Sequence, residues 1–95
     1  MYNHQLDTFI VVADSGSFNK AAEALFISPP AVIKQINLLE DSLGVRLFTR
    51  THRGLQLTKA GQSVYEDARY IIAYCRESVE RAKKADDTQL SVLRP

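Results

Sequence analysis

Two helix boundaries lie close together in the first third of the chain and limit what it can form. Gly16 followed by Ser17 is typical of one helix ending and the next being capped, and Ser28 followed by Pro29 is a cap with proline at the first helical position. The helix between them is short and leads into a tight turn at residues 26–27. This pattern matches a helix-turn-helix, although ordinary helical bundles contain similar helix pairs.

Apolar periodicity predicts the helices on either side. The first helix has one apolar face at the i, i+3, i+4, i+7 spacing, formed by Leu6, Phe9, Ile10 and Ala13. The third has a stripe that we expect to be buried, formed by Val32, Ile36, Leu39 and Leu43, and it ends at Gly44. Residues 47–51 and 55–57 then predict two short strands joined through residues 52–54. A hairpin directly after such a helix indicates the winged variant of the motif.

A long helix is predicted after the hairpin, capped by Thr58 and continuing over residues 59–85. Its apolar residues alternate by three and four, which is typical of a coiled-coil stripe, with Val64 and Ile71 widening it. Only the first half of this helix can find a surface on the rest of the chain. We therefore expect a homodimer whose interface contains Tyr65, Ala68, Ile72, Cys75 and Val79. In the tail, residues 86–95, the apolar residues at 90–93 suggest the start of a strand.

Composition narrows the class of protein. With 95 residues, of which 45% are hydrophobic, the chain can bury one modest core. No run approaches the roughly 20 apolar residues of a membrane span, and the first residues lack the pattern of a secretory signal, so we expect a cytoplasmic protein without membrane partners. The single cysteine, Cys75, excludes an internal disulfide and is expected to be a buried apolar side chain. Catalytic and metal-ligand spacings are lacking, so no enzyme, metal or cofactor is expected in this domain.

Charge is distributed unevenly along the chain. The net charge is only +1, but residues 42–65 contain no acidic side chain and include Arg46, Arg50, Arg53 and Lys59. On charge alone, this acid-free segment is either a solvated loop or a surface that binds phosphate.

The predicted elements contain a series of short motifs in a fixed order. These are Gly16-Ser17-Phe18, Ala21-Ala22, Ser28 to Val32, Gln35-Ile36, Leu39-Glu40, Leu43 to Phe48, Arg50, Gly54, Leu57-Thr58 and Ala60-Gly61. In this order and spacing the chain resembles the DNA-binding domain of LysR-type transcriptional regulators, to about residue 85.

The resemblance implies a fold and a partner. The expected fold is mainly α: a winged helix-turn-helix DNA-binding domain over residues 1–58, with a three-helix core and a two-stranded wing, then a linker and dimerisation helix over 59–85. Residues 86–95 are expected to be a hinge toward an effector-binding domain that is not in this chain and would hold a small molecule. The apolar stripe of the long helix leads us to expect that a dimer binds an inverted repeat in double-stranded DNA. The resemblance further implies that the complete protein can form tetramers.

The chain departs from the family pattern in the third helix. Pro29 stands where family members usually have a glutamine that contacts DNA, and Ile33 stands where a serine is usual. Asn37 and Leu38 occupy positions where a basic pair is frequent. The lack of that basic pair lowers the electrostatic contribution that we expect from this helix, whereas Pro29 and Ile33 remove polar contacts.

Projected at 100° per residue, the outward face of the third helix carries Pro30, Lys34, Asn37 and Asp41, with Ala31 and Ile33 on its flanks. We expect this face to enter the major groove. There Lys34 can donate to guanine or phosphate, Asn37 can pair with adenine or phosphate, and the flanking apolar side chains can meet a thymine methyl.

Four further positions complete the predicted DNA contacts. Ser28 caps the third helix and, by the resemblance, lies near phosphates, whereas Arg50, Thr51 and Arg53 are expected to hold the DNA backbone, with Arg53 the candidate for the minor groove.

Two residues, Gln35 and Arg46, have a structural alternative to a DNA contact, and His52 has no predicted contact. Gln35 either reaches the DNA backbone or makes a structural bond to the second helix. Arg46 either contributes charge or bonds carbonyls at a helix end, and His52 is expected to be an exposed hairpin residue.

The alternative function is a winged-helix module for protein interaction or dimerisation. Lys34 and Asn37 facing outward, together with the acid-free segment, favour DNA binding over this alternative.

Overall fold

A computed structural model describes residues 4–93, with side chains described for residues 4–86. Its elements are α1 (His4–Ser15), α2 (Phe18–Leu25), α3 (Pro29–Leu43), β1 (Phe48–Thr51), β2 (Gly54–Leu57) and α4 (Lys59–Leu93). The predicted fold class is confirmed: three helices, a two-stranded wing and a long final helix. Over residues 4–93, no helix combines the length and apolar character needed to cross a membrane.

Side-chain caps set the predicted helix starts. Ser17 and Ser28 each accept a hydrogen bond from the backbone N–H three residues ahead, both at 3.3 Å. Thr58 accepts in the same way, at 2.9 Å, at the start of α4. At the other end of α3, Gly44 adopts a left-handed conformation with φ of 73°, which a residue without a Cβ reaches at little steric cost. These four boundary predictions are confirmed.

The turn between α2 and α3 passes through Phe26, whose backbone is also left-handed. Among the residues that the structure describes, Phe26 is the one non-glycine residue with positive φ, at 58°. Its N–H bonds the carbonyl of Glu23 at 3.3 Å and closes the end of α2. A side chain in this conformation costs on the order of 1–3 kcal/mol relative to an unstrained one. The turn was predicted from the sequence, but this strained residue was not.

The core lies where α1, α2 and α3 meet the base of the wing and the start of α4. Its largest fully buried side chains are Phe9, Val12, Val32 and Leu47. The predicted stripe on α3 is buried at Val32, Ile36 and Leu39. The fourth member of that stripe, Leu43, is instead 45% exposed, because it is the last residue of α3 and the chain turns away at Gly44.

The wing is an antiparallel hairpin with Thr51 opposite Gly54. Two residues, His52 and Arg53, therefore form the turn, one fewer than the sequence indicated. Gly54 belongs to β2 because its φ of 108° lets the strand begin immediately after the turn. Leu47, predicted as the first residue of β1, precedes the strand and is fully buried.

The start of α4 is bound to the residues that lead into the wing. The N–H of Thr58 donates to the carbonyl of Leu47 at 3.0 Å, and its hydroxyl donates to the carbonyl of Arg46 at 2.6 Å. Gly61 packs against the carbonyl of Leu47 so closely that an added Cβ would lie 2.1 Å from its oxygen. Only glycine permits this approach.

The end of α4 differs from the prediction. The helix continues to Leu93, well past the expected end near Ala85, and the predicted strand start at 90–93 is wrong because these residues are helical. The chain has no glycine or proline between Gly61 and Pro95, and the aspartates at 86 and 87 do not by themselves stop a helix. The hinge role of 86–95 stays a prediction, and residues 94 and 95 lie outside the described part.

Candidate nucleic-acid interface

The exposed face of α3 carries the predicted polar residues. Pro30, Lys34, Asn37 and Asp41 are all exposed, on the side of the helix opposite its buried stripe. Ala31 and Ile33, on the flanks, are half-buried, which leaves part of each aliphatic side chain open to a thymine methyl.

Gln35 makes a structural bond. Its side-chain oxygen accepts a hydrogen bond from the hydroxyl of Thr8 at 2.5 Å, which links α3 to α1. Thr8 is only 4% exposed, so this bond satisfies a hydroxyl that the core would otherwise leave without a partner. Of the two roles predicted for Gln35, the structure therefore contains the structural one, although the partner lies on α1 rather than on α2.

Ser28 lies exposed at the N-terminus of α3. Capping uses its hydroxyl oxygen as an acceptor for the N–H of Ala31. A serine hydroxyl also has one proton to donate, and the cap does not consume it. The same side chain can therefore cap the helix and donate to a phosphate, as predicted from the sequence.

The tip of the wing consists of exposed cationic and polar side chains. Arg50, Thr51, His52 and Arg53 are all exposed. The hydroxyl of Thr51 donates to the carbonyl of Gly54 and accepts from the N–H of Arg53, both at 3.1 Å. Thr51 therefore closes the turn, and its only hydroxyl proton is already used there. The contact with the DNA backbone predicted for Thr51 requires a hydroxyl proton that is already used in this turn. Arg53, at the tip of the wing, still offers a guanidinium for such a contact.

Arg50 is held over the aromatic ring of Phe18, a contact that was not predicted from the sequence. Its guanidinium carbon lies 5.3 Å from the ring centroid of Phe18, a cation–π contact that contributes about 0.5–1 kcal/mol at an exposed position. The ring of Phe18 packs edge-on against Phe48 at 6.3 Å, and Phe48 packs against Phe9 at 5.4 Å. A row of aromatic contacts thus runs from the core to Arg50. The available signal was an aromatic residue directly after the Ser17 cap.

One groove brings α3 and the wing together. Ile33 and Asn37 of α3 line it with Arg50 of β1 and with Phe18 of α2. Arg46, exposed, lies at the same groove. Arg46 makes its structural hydrogen bond through its backbone carbonyl, which accepts from the hydroxyl of Thr58. The predicted bond from its guanidinium to helix-end carbonyls is a different interaction. Side chains that can read a base and side chains that can neutralise a phosphate therefore lie along one surface.

The stripe predicted as a dimer interface on α4 largely faces the chain's own α1. Ala68 and Cys75 are 1% and 7% exposed within a single chain, so their prediction as partner contacts is wrong. Tyr65 packs against Phe9 and donates to a carboxylate oxygen of Asp14. The predicted burial of Cys75 is confirmed.

The remaining two residues of that stripe differ from each other. Ile72 is half-buried along the groove between α1 and α4, and Val79 is 49% exposed. Heptad spacing identified the apolar stripe correctly but did not indicate which surface covers it.

A neighbouring stripe of α4 is apolar and exposed. Tyr70, Ile71 and Tyr74 are 74%, 42% and 53% exposed, and the guanidinium of Arg81 lies 5.5 Å from the ring centroid of Tyr74. Of these residues only Ile71 had been noted in the sequence, as widening the predicted stripe. The spacing of the two tyrosines by four residues was the signal that would have indicated this face.

Solved structures similar to this one include DNA complexes. The DNA-binding domain of CbnR in complex with DNA aligns with a TM-score of 0.85 and 42% identity, covering 90% of this chain and 99% of that one. The DNA-binding domain of BenM in a complex with catB site 1 DNA aligns with a TM-score of 0.86 and 30% identity, covering 94% and 96%.

Full-length relatives are much longer than this chain. The transcriptional regulator ClcR of Pseudomonas putida is 44% identical over 90 residues, which are 95% of this chain but 31% of ClcR. Full-length CbnR, a LysR family transcriptional regulator, is covered over 29% of its length. Residues 3–62, more than half of the present sequence, match the description "bacterial regulatory helix-turn-helix protein, lysR family". The resemblance noted in the sequence is thereby confirmed, and the chain belongs to the LysR family of bacterial helix-turn-helix regulators.

Proposed function

We propose that this chain is the sequence-specific DNA-binding part of a LysR-type transcriptional regulator. The observation that carries the proposal is the shared groove, in which Ile33 and Asn37 of α3 lie beside Arg50 of the wing. The DNA complexes of the CbnR and BenM domains, at 42% and 30% identity, support it.

In this proposal α3 enters the major groove. Lys34 donates to guanine or phosphate, Asn37 pairs with adenine or phosphate, and Ala31 and Ile33 meet thymine methyl groups. Arg50 binds the DNA backbone beside α3, and Arg53 at the tip of the wing enters the minor groove.

The dimer that places two copies of α3 on an inverted repeat forms through the exposed stripe of α4. Tyr70, Ile71 and Tyr74 expose apolar surface there, and an α4 from a second copy would cover it. Ile71→Glu should therefore abolish dimerisation in sedimentation velocity. The matched variant Ile72→Glu places the same charge one residue on, at the groove facing α1, and should lower thermal stability instead. If Ile71→Glu sediments as the parent chain does, the dimer uses another surface.

The complete protein extends beyond this chain, as ClcR does. The missing part binds a small-molecule effector and contributes to tetramer formation, and the whole regulator acts in the cytoplasm, where bacterial DNA lies. The bound effector would reach the DNA contacts through α4.

Fluorescence anisotropy against a duplex selected from random sequence tests the DNA-binding proposal. We expect the selected inverted repeat to be preferred over scrambled DNA by roughly a thousandfold, with affinity falling steeply as salt is raised. Equal affinity for both duplexes would mean that this chain lacks sequence specificity. If neither duplex binds, the proposed function is overturned.

A further inference from the structure

Phe26 combines a left-handed backbone, which closes the end of α2, with an exposed aromatic side chain that this cap does not need. Its backbone is held in the left-handed region, where an asparagine or glycine is less strained, and its side chain is 94% exposed, the largest exposure of any large hydrophobic residue for which side chains are described. An exposed ring contributes little to the core. Strain and exposure in one residue point to a contact made outside the chain.

The position of Phe26 indicates where that contact lies. It precedes by two residues Ser28, which caps α3, and the intervening Ile27 is itself 37% exposed. Pro29, where the family pattern has glutamine, and the exposed Pro30 follow. The N-terminal edge of α3 therefore presents carbon surface at the place where the proposed function brings a DNA strand.

We propose that Phe26 is a DNA-contacting residue whose ring packs on the deoxyribose of the strand that passes the N-terminus of α3. This inference rests on the proposed function. The C–H surface of deoxyribose is the apolar part of the DNA backbone, and an exposed ring beside a helix cap can cover it while Ser28 donates to the adjoining phosphate.

A protein partner fits this position less well. The residues that precede Phe26 by two and three positions on α2, Ala24 and Glu23, are exposed and are small and charged respectively. They do not extend the ring into an apolar patch of the several hundred Å² that marks a protein interface. The larger exposed apolar stripe lies on α4, around Tyr70 and Tyr74.

The strain makes the proposal testable because stability and affinity should move in opposite directions. Asparagine tolerates the left-handed conformation, so Phe26→Asn relieves the strain and removes the ring together. We expect its Tm to rise by a few degrees, and its affinity for the selected duplex to fall by about 5- to 10-fold. The dependence of affinity on salt should not change, because an apolar contact releases no counterion. Phe26→Tyr keeps both the ring and the strain, and should bind within about twofold of the parent chain.

Two results would overturn the inference. If Phe26→Asn binds the selected duplex as tightly as the parent chain, the ring does not touch DNA. If Tm and affinity fall together, Phe26 serves the fold. Failure of the parent chain to bind the duplex would be a different result and would overturn the proposed function itself.

Photo-crosslinking distinguishes a contact of Phe26 with DNA from a contact with a protein partner. With p-benzoylphenylalanine in place of Phe26, irradiation of the complex should attach the chain to the duplex, whereas the same group in place of Tyr70 should not. Crosslinks from position 26 to a second copy of the chain, without DNA, would overturn the inference in favour of a protein contact.

Discussion

The exposed face of α3 and the wing lie along one groove but differ in chemistry and in how they are held. The outward face of α3 has one cation, Lys34, and one acid, Asp41, on a helix fixed by three buried side chains. The wing has Arg50 and Arg53 with no acid nearby in sequence, and its turn is closed by hydrogen bonds of Thr51. Under the proposed function, the rigid helix supplies discrimination among bases, and the wing supplies the charge that binds any sequence.

The largest effect is expected from a substitution that displaces the residues leading into the wing and changes none of the side chains proposed to contact DNA. Gly61→Ala places a Cβ against the Leu47 carbonyl, at 2.1 Å, so α4 or the start of the wing must move. We expect a loss of about 3 kcal/mol in unfolding free energy, which lowers Tm by roughly 12 °C or more. Thermal and urea denaturation measure it. Gly44→Ala is the matched control, because a Cβ there meets nothing within 4 Å and tests left-handed strain alone. An equal loss in both variants would contradict the steric explanation.

The second-largest effect is expected from removing the two arginines of the wing. Arg50→Ala with Arg53→Ala should weaken binding by roughly 100-fold on every duplex, because two charge-assisted contacts to the backbone are lost. The slope of log affinity against log salt should fall by about 2 in the anisotropy titration. Lys83→Ala with Lys84→Ala removes the same charge from exposed positions on α4 and should leave the slope unchanged. A loss confined to the selected duplex would show that the wing, too, discriminates among bases.

Lys34→Ala tests the role of α3, the base-reading helix in the comparison with the wing. If Lys34 binds a base edge, binding to the selected duplex should weaken by about 1–3 kcal/mol, and discrimination should be lost at one base pair. Competition with a set of duplexes, each altered at one position, measures both. Uniform weakening across the set would mean that Lys34 holds a phosphate and that α3 and the wing share the electrostatic role.

Asp41→Asn is expected to give the smallest change in DNA affinity, and it should strengthen binding rather than weaken it. Asp41 is exposed on the same face as Lys34 and repels phosphates, so its neutralisation should tighten binding by about two- to fivefold. The gain should appear on selected and scrambled duplexes alike, and should vanish at high salt. Unchanged affinity at low salt would place Asp41 away from the DNA backbone.

Local signals were enough to predict most of the fold. The caps at Ser17, Ser28 and Thr58 and the stop at Gly44 depend on neighbours in sequence, and the structure contains all four. The outward face of α3 followed from helical periodicity and the opposite buried stripe in the same way.

The errors came from choices that sequence spacing leaves open. The stripe of α4 that contains Ala68 fits either a partner or α1, and only the three-dimensional packing selects α1. The contact between Arg50 and Phe18 joins residues far apart in sequence, so no local pattern indicated it. The left-handed backbone at Phe26 was missed because glycine or asparagine is the usual occupant of that conformation.

The 35 residues of α4 make a rod of about 52 Å whose base is fixed next to the wing by Thr58 and Gly61. Its first half also packs on α1, where Tyr65 bonds Asp14 and Ala68 is buried, so the part of the rod that extends away from the domain begins beyond Cys75. Because Thr58 bonds the carbonyls of Arg46 and Leu47, a displacement of α4 moves α1 and the residues leading into the wing together. In the proposed function, an effector bound far from the DNA would therefore change the positions of Arg50 and Arg53 by shifting α4 and α1 as one unit.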